Sequence, residues 1–273
     1  MSFGNFLKTL DAALYKEYTQ EKFIEKYGAS NTAPKIDITN AEPPKFIKNT
    51  PLKFIKKISQ LEANHPAKLY VEKRKIPHNT HYKLFYAPKF KSWVNTFIPG
   101  KFDDTVDEGR LVIPFLDKDK NLFGLQGRSF SSAGIRYITI IIDSSKPKIF
   151  GLDTLNREKL FYVLEGPIDS LFLENAIAMA GADNSMSWLE DRYKDNAVFV
   201  YDNEPRNKDI VGRMQAVIDK GYRVCIWPTG VEQKDINDMI LAGNTGAKIK
   251  GIIDSNTYSG LSAQLALTSW KKV

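Results

Sequence analysis

Leu160–Phe172 reads LFYVLEGPIDSLF. A short, nearly all-apolar run, Leu160–Leu164, ends at Glu165, and Gly166-Pro167 leads into a helical stretch, Ile168–Asn175. So short an apolar run beside turn residues reads as a strand buried on both faces. Pro167 suits a first helical turn, where its missing N–H costs nothing. The segment is therefore strand, acidic turn, helix. The same rhythm continues outward from it. Ala176–Ala180 and Ala197–Tyr201 read as strands, Asp209–Lys220 as a helix stopped by Gly221, Tyr222–Trp227 as a strand, and Asp235–Ala242 as a helix before Gly243. Such alternation predicts an α/β fold, a parallel sheet flanked by helices. In these sheets the site lies beyond the carboxyl ends of the strands.

Acidic clusters fall at those ends. Glu165 stands with Asp169, Asp202 with Glu204 in Ala197–Arg206 (AVFVYDNEPR), and Asp235 with Asp238 in Lys234–Ile240 (KDINDMI). Mg²⁺ takes oxygen ligands and keeps several waters, so a few carboxylates hold it while phosphate supplies the rest. Each pair also has a plain reading. Asp169 favours a helix dipole, Asp202-x-Glu204 is an acidic turn, and Asp235 is an N-cap. Three clusters in succession on one alternating unit favour a phosphoryl-transfer site.

The charge of the 273-residue chain is uneven. Residues 1–150 carry 25 Lys/Arg and 15 Asp/Glu, a net of +10, whereas residues 151–273 carry 14 and 17, a net of −3. This pairs a polyanion-binding half with a metal-binding half. Lys45–Lys101 holds 13 Lys/Arg against 2 Asp/Glu, interleaved with Tyr70, Tyr82, Phe85, Tyr86, Phe90 and Trp93. Basic side chains track a nucleic-acid backbone and aromatic rings stack on bases, although such rings more often belong to a core. Cys225 is the single cysteine and, with His65, His78 and His81, makes no zinc pattern. No apolar stretch approaches a membrane span and no signal peptide is visible, so a cytoplasmic location is expected.

Residues 1–28 are expected to form an N-terminal amphipathic helix, with Phe3, Phe6, Leu7, Leu10, Leu14 and Tyr18 at helical spacing. Residues 29–50, with Pro34, Pro43 and Pro44, read as a linker. A basic mixed α+β subdomain is expected over 51–155, with Leu52–Ile76 helical in pattern. Its strands are Leu111–Phe115, Leu122–Gln126 and Tyr137–Ile142, the first two joined by a turn at Asp117–Asn121. The catalytic α/β domain is set at 156–255 and a helical segment at 256–273.

Val163–Leu171 (VLEGPIDSL), Tyr201–Arg206 (YDNEPR) and Lys234–Ile240 together resemble the Toprim fold of bacterial-type primases, topoisomerases and some nucleases. Glu165 matches the family's Glu before Gly. Asp202 matches the first Asp of its D-x-D, with Glu204 in place of the second. Asp235 aligns in the third run, Asn237 stands where Asp is usual, and Asp238 follows. Upstream, Arg110–Pro114 (RLVIP), Gln126–Arg128 (QGR), Arg136-Tyr137 and Lys146–Gly151 (KPKIFG) resemble the basic subdomain of bacterial-type primases. His65-Pro66 and Ile76-Pro77 add detail closest to primases of T-even-type bacteriophages.

The resemblance implies Mg²⁺-dependent synthesis of short RNA primers from NTPs on a single-stranded DNA template, Mn²⁺ being an alternative ion. Glu165, Asp202 and Glu204 would be catalytic, with Asp235 and Asp238 further metal ligands; whether Glu165 is a ligand or a base stays open. Arg110, Arg128, Arg136, Lys146 and Lys148 would bind template or NTP phosphates, Arg128 foremost because Gly127 before it lets the backbone approach closely. A hexameric replicative helicase is the expected partner, and a phage-encoded chain would act in the host cytoplasm. The family's usual zinc-binding module is expected to be missing. A Toprim nuclease and a non-catalytic DNA- or helicase-binding protein are the alternatives. A topoisomerase is disfavoured, because the chain has no room for strand-passing domains.

Overall fold

The computed structural model describes residues 11–27, 50–103, 106–131, 134–181 and 187–273. The chain divides into two units, Met1–Phe46 and Ile47–Val273. In the first, α1 spans Ala12–Tyr27. Residues 1–10 of the expected N-terminal helix, its stop at Gly28 and the linker up to residue 49 lie outside the described residues.

The second unit contains two five-stranded sheets. The first is antiparallel, in the order β1 (Lys56–Lys57), β2 (Phe85–Ala87), β3 (Arg110–Leu116), β4 (Leu122–Ser129), β5 (Tyr137–Ile141). The turn between β3 and β4 is closed by Asp117, whose carboxylate accepts from the Asp119 and Asn121 amides at 3.0 and 2.9 Å. Helices α2 (Pro66–Lys73) and α3 (Phe90–Asn95) accompany this sheet.

Leu52–Ile76 is not one helix. It forms 3₁₀ turns at Pro51–Phe54 and Ile58–Gln60, the short strand β1, and then α2, begun by Pro66 under a His65 cap. Leu52, Ile55, Ile58 and Leu61 recur every three residues, which is the 3₁₀ period rather than the α period. Leu69, an apolar residue of that stretch, is 50% exposed on α2.

The second sheet has the order β10 (Thr257–Tyr258), β9 (Arg223–Cys225), β8 (Ala197–Val200), β6 (Phe161–Leu164), β7 (Ala176–Ala178). Strands β7, β6, β8 and β9 pair in parallel, and β10 pairs with β9 antiparallel. Helix α4 (Pro167–Ser170) is a single turn, shorter than Ile168–Asn175. Helices α5 (Lys208–Asp219), α6 (Ile236–Leu241), α7 (Gly246–Ser255) and α8 (Gly260–Trp270) complete the unit. The expected helical tail thus begins with a strand.

Alternation along β6 explains the layers. Tyr162 and Leu164, with Val198 and Val200 of β8, pack into a cluster shared with Leu111, Ile113 and Phe115 of the first sheet. Phe161 and Val163, with Ala197 and Phe199, face α5 and α8. All four β6 residues are buried, at about 1.5–3 kcal/mol for each large apolar side chain. Gln126 on β4 also donates through Nε2 to the Ala180 carbonyl at 3.3 Å, joining the two sheets.

Candidate active site

Chain order reverses at β6. The connection from β6 to β7 runs to one side, and β8 adds on the other. Such a switch point opens a crevice at the carboxyl ends of the two strands. Glu165 directly follows β6, and Asp202 follows β8 after Tyr201, so both enter this crevice. Glu165, Asp169, Asp202 and Asp235 line one small cleft, together with Gly166 and Tyr201.

Each carboxylate is positioned by the local backbone. Asp169, in the first turn of α4, accepts the Asn237 amide N–H at 2.8 Å. Its Oδ2 lies 2.6 Å from where a Cβ on Gly166 would stand, so only glycine leaves room for it. Asp235 is the N-cap of α6 and accepts the Asp238 amide at 2.7 Å. The capping reading of Asp235 holds, and the same residue still lines the cleft.

Crowded burial shows in the titration of these groups. Burial, then the charges of Glu165, Asp169 and Asp235, pushes Asp202 up to about 8. Burial, then Asp235, pushes Asp169 up to about 7. Glu165 is raised by burial, with Arg213 opposing. The Tyr201 hydroxyl is buried without a hydrogen-bond partner, and burial and Glu165 raise its pKa.

Two cations answer the carboxylates. Arg213 on α5 lies 3.1 Å from Glu165. Lys234 lies 3.2 Å from Glu204 and 3.8 Å from Asp202. Burial works against the Lys234 charge, yet Glu204, Asp202 and Asp235 raise its pKa. Glu204 does not line the cleft; it faces a shallow surface with Arg206, Asn207 and Lys272 and reaches Asp202 through Lys234. Asp238 is exposed at the start of α6.

Asn237 is 2% exposed and turned away from the cleft. Its Oδ1 accepts from Arg74 at 2.6 Å, and its Nδ2 donates to the Arg74 carbonyl at 2.7 Å. Arg74 Nε donates to the Tyr70 hydroxyl at 2.8 Å, and Arg128 Nε donates to the same hydroxyl. A continuous chain therefore runs from Arg128 through Tyr70, Arg74 and Asn237 to Asp169.

The expected phosphate-binding residues divide into two groups. Arg110 and Arg128 are buried. Arg110 pairs with Glu108 and donates to the Gly127 carbonyl at 3.0 Å. Arg128 also packs 4.7 Å from the Tyr137 ring. Gly127 is needed for a different approach than expected: the Phe90 ring occupies the place of its missing Cβ. Arg136, Lys146 and Lys148 are exposed, Lys146 at 3.8 Å from Asp117. Of the interleaved aromatic residues, Phe85, Phe90 and Trp93 are core, and Tyr82 is 50% exposed.

Arg213, Lys234 and Arg74 escaped sequence reasoning, and Tyr70 was named only as one of the aromatic rings among the basic residues. Lys234 adjoins Asp235 and could have been noticed; the others meet the site only through long-range contacts. The all-oxygen, mutually repelling donor set suits a hard divalent cation in kind. Among the described residues, no three His, Cys, Asp or Glu side chains already converge on one metal-holding point. Arg213 and Lys234 stand against the carboxylates.

No family model matches the chain. Among solved structures, the DnaG primase catalytic domain bound to ssDNA has a TM-score of 0.58 at 18% identity, over 78% of each chain. The Aquifex aeolicus primase, with zinc-binding and RNA polymerase domains, has a TM-score of 0.55 at 19% identity, over 89% of this chain and 68% of that one. These likenesses establish the fold, that of a primase catalytic core. The DNA primase of Enterobacteria phage T4 is 34% identical over 273 residues, covering 99% of this chain and 78% of that protein. On that identity and coverage, the chain belongs to the DNA primase family.

Proposed function

We propose that the cleft between Glu165 and Asp202 is where this primase joins nucleotides into a short RNA primer on single-stranded DNA. The observation that carries this reading is the meeting of Glu165, Asp169, Asp202 and Asp235 at the switch point of a parallel sheet. The 3′-oxygen of the growing primer forms a bond to the α-phosphorus of an incoming NTP as the bond to pyrophosphate breaks. Positioning and charge neutralisation dominate such chemistry. Glu165 and Asp202 would hold Mg²⁺ or Mn²⁺ in the cleft with Asp235 beside them, and Glu204, set outside the cleft and joined to Asp202 through Lys234, would complete the acidic rim with Asp238. When bound, the ions would neutralise the triphosphate and the leaving pyrophosphate.

Arg213 and Lys234 keep the carboxylates in place before the ions enter and then face the substrate's phosphates. Arg136, Lys146 and Lys148 are exposed along the first sheet and would track the template. Arg128 acts through Tyr70 and Arg74 on the placing of Asp169. A hexameric replicative helicase belongs to the same reading. The exposed Leu261 and Leu265 of α8 offer it apolar surface.

The test is purified protein with single-stranded DNA, labelled NTPs and Mg²⁺, with and without the cognate helicase. Template-dependent oligoribonucleotides are expected. DNA cleavage without synthesis, or binding alone, would overturn the reading.

A further inference from the structure

A second cavity, of about 380 Å³, opens at the far end of the first sheet. Pro114 and Leu116, at the end of β3, contribute to its wall. Arg110 begins the same strand, on the side that leads through Arg128 and Tyr70 to the acidic cleft. The two cavities share no residue. Lys53, Lys57, Lys83 and Lys120 line the second one, against the single carboxylate of Asp153. Its buried lining includes Leu52, Phe85 and Phe150.

Three features narrow the ligand. The volume is that of a small-molecule pocket, too small for a docked helix. Four lysines against one carboxylate select an anion, because ammonium groups bind phosphate as point charges. The lining is mostly apolar, with two phenylalanine rings, and suits a flat, weakly polar body.

Asp153 decides between a plain anion and something richer. A carboxylate among lysines opposes a bare phosphate, yet it accepts the N–H donors on the edge of a nucleobase. Burial raises its pKa, with Lys83 opposing. Lys83 is itself lowered by burial and lies 3.3 Å from the Thr154 hydroxyl. Both groups are thus partly desolvated in the absence of a ligand, where an added phosphate or base edge gains most.

We propose that this cavity binds a free nucleoside phosphate, its base over the apolar lining with an edge on Asp153 and its phosphate on the lysines. This is a site separate from the one that makes primers, and it does not depend on the assignment of the acidic cleft.

The test is isothermal titration calorimetry of the full chain in EDTA, where metal-held nucleotide contributes nothing. The probes are guanosine and adenosine 5′-monophosphate, with inorganic pyrophosphate and single-stranded oligodeoxythymidylate for comparison. Saturable binding of one monophosphate per chain is expected, tighter than that of pyrophosphate. Lys57→Ala and Lys83→Ala should each weaken it about tenfold, the scale of a lost charge-assisted bond, and Asp202→Asn should leave it unchanged. Lys57→Gln, changed only at the cavity rim, with an unaltered circular dichroism spectrum, separates lost binding from lost folding. The absence of saturable binding would overturn the proposal. So would pyrophosphate binding equally well, the oligonucleotide binding without competition from the monophosphate, or loss of binding in Asp202→Asn but not in the lysine variants.

Discussion

Arg74 and Asn237 clasp each other in both directions: the guanidinium donates to Asn237 Oδ1 at 2.6 Å, and Asn237 Nδ2 donates to the Arg74 carbonyl at 2.7 Å. Asn237 thereby presents its backbone N–H to Asp169. The position where a bacterial-type primase is expected to carry Asp is thus taken by an amide that bridges the basic segment to the acidic cleft. Arg74→Ala and Asn237→Ala should each destabilise the protein, with a coupling of about 1–3 kcal/mol in a double-mutant cycle. Urea denaturation of the four proteins measures it, and additive effects would contradict the clasp. Both single variants should also lower primer synthesis more than template affinity.

Gly127→Ala addresses what the glycine is for. The Phe90 ring fills the space where a Cβ would stand, and overpacking of this kind costs about 1–3 kcal/mol. Lower stability with template affinity unchanged is expected from denaturation and binding curves. Unchanged stability with weakened template binding would return Gly127 to a phosphate-facing role.

Binding of Mg²⁺ should release protons at pH 7. In the metal-free protein burial and neighbouring carboxylates raise Asp202 to about 8 and Asp169 to about 7. Asp202 therefore holds a proton at pH 7 that an ion must displace. Above pH 9 the group is already ionised and the release should vanish. Calorimetry of Mg²⁺ binding in buffers of different ionisation enthalpy reads this directly. Buffer-independent heats at pH 7 would contradict it.

The parallel sheet and its acidic ends were legible in the sequence because β6 and β8 are short apolar runs, each ending in a carboxylate. Burial on both faces removes polar residues from such strands, and a turn residue marks where each stops. The stretch from Leu52 to Ile76 was misread because three-residue spacing satisfies a helical pattern over short windows. Arg213 and Arg74 were invisible for another reason. They meet Glu165 and Asn237 across 48 and 163 residues, and no local pattern records a contact at that separation. Arg128 was legible as important, but not as buried.

Arg128 should therefore behave differently from the exposed cations. Arg128→Ala removes one of the two donors to the Tyr70 hydroxyl, Arg74 being the other, together with the packing of a buried guanidinium on the Tyr137 ring, and should cost about 1–3 kcal/mol of stability. Arg136→Ala and Lys148→Ala should leave stability unchanged and weaken single-strand binding. Each should lower the slope of log affinity against log salt by about 0.7. Salt titrations of oligonucleotide binding check this, and an unchanged slope would remove the residue from the template path.

The most direct test of the central claim is template-directed primer synthesis by Glu165→Gln and Asp202→Asn. Both changes keep shape and remove charge. Each should lower synthesis by more than the about 10–100-fold typical of a residue that only supports a metal ligand, with single-stranded DNA affinity preserved. Wild-type rates from either variant would contradict the assignment of the cleft.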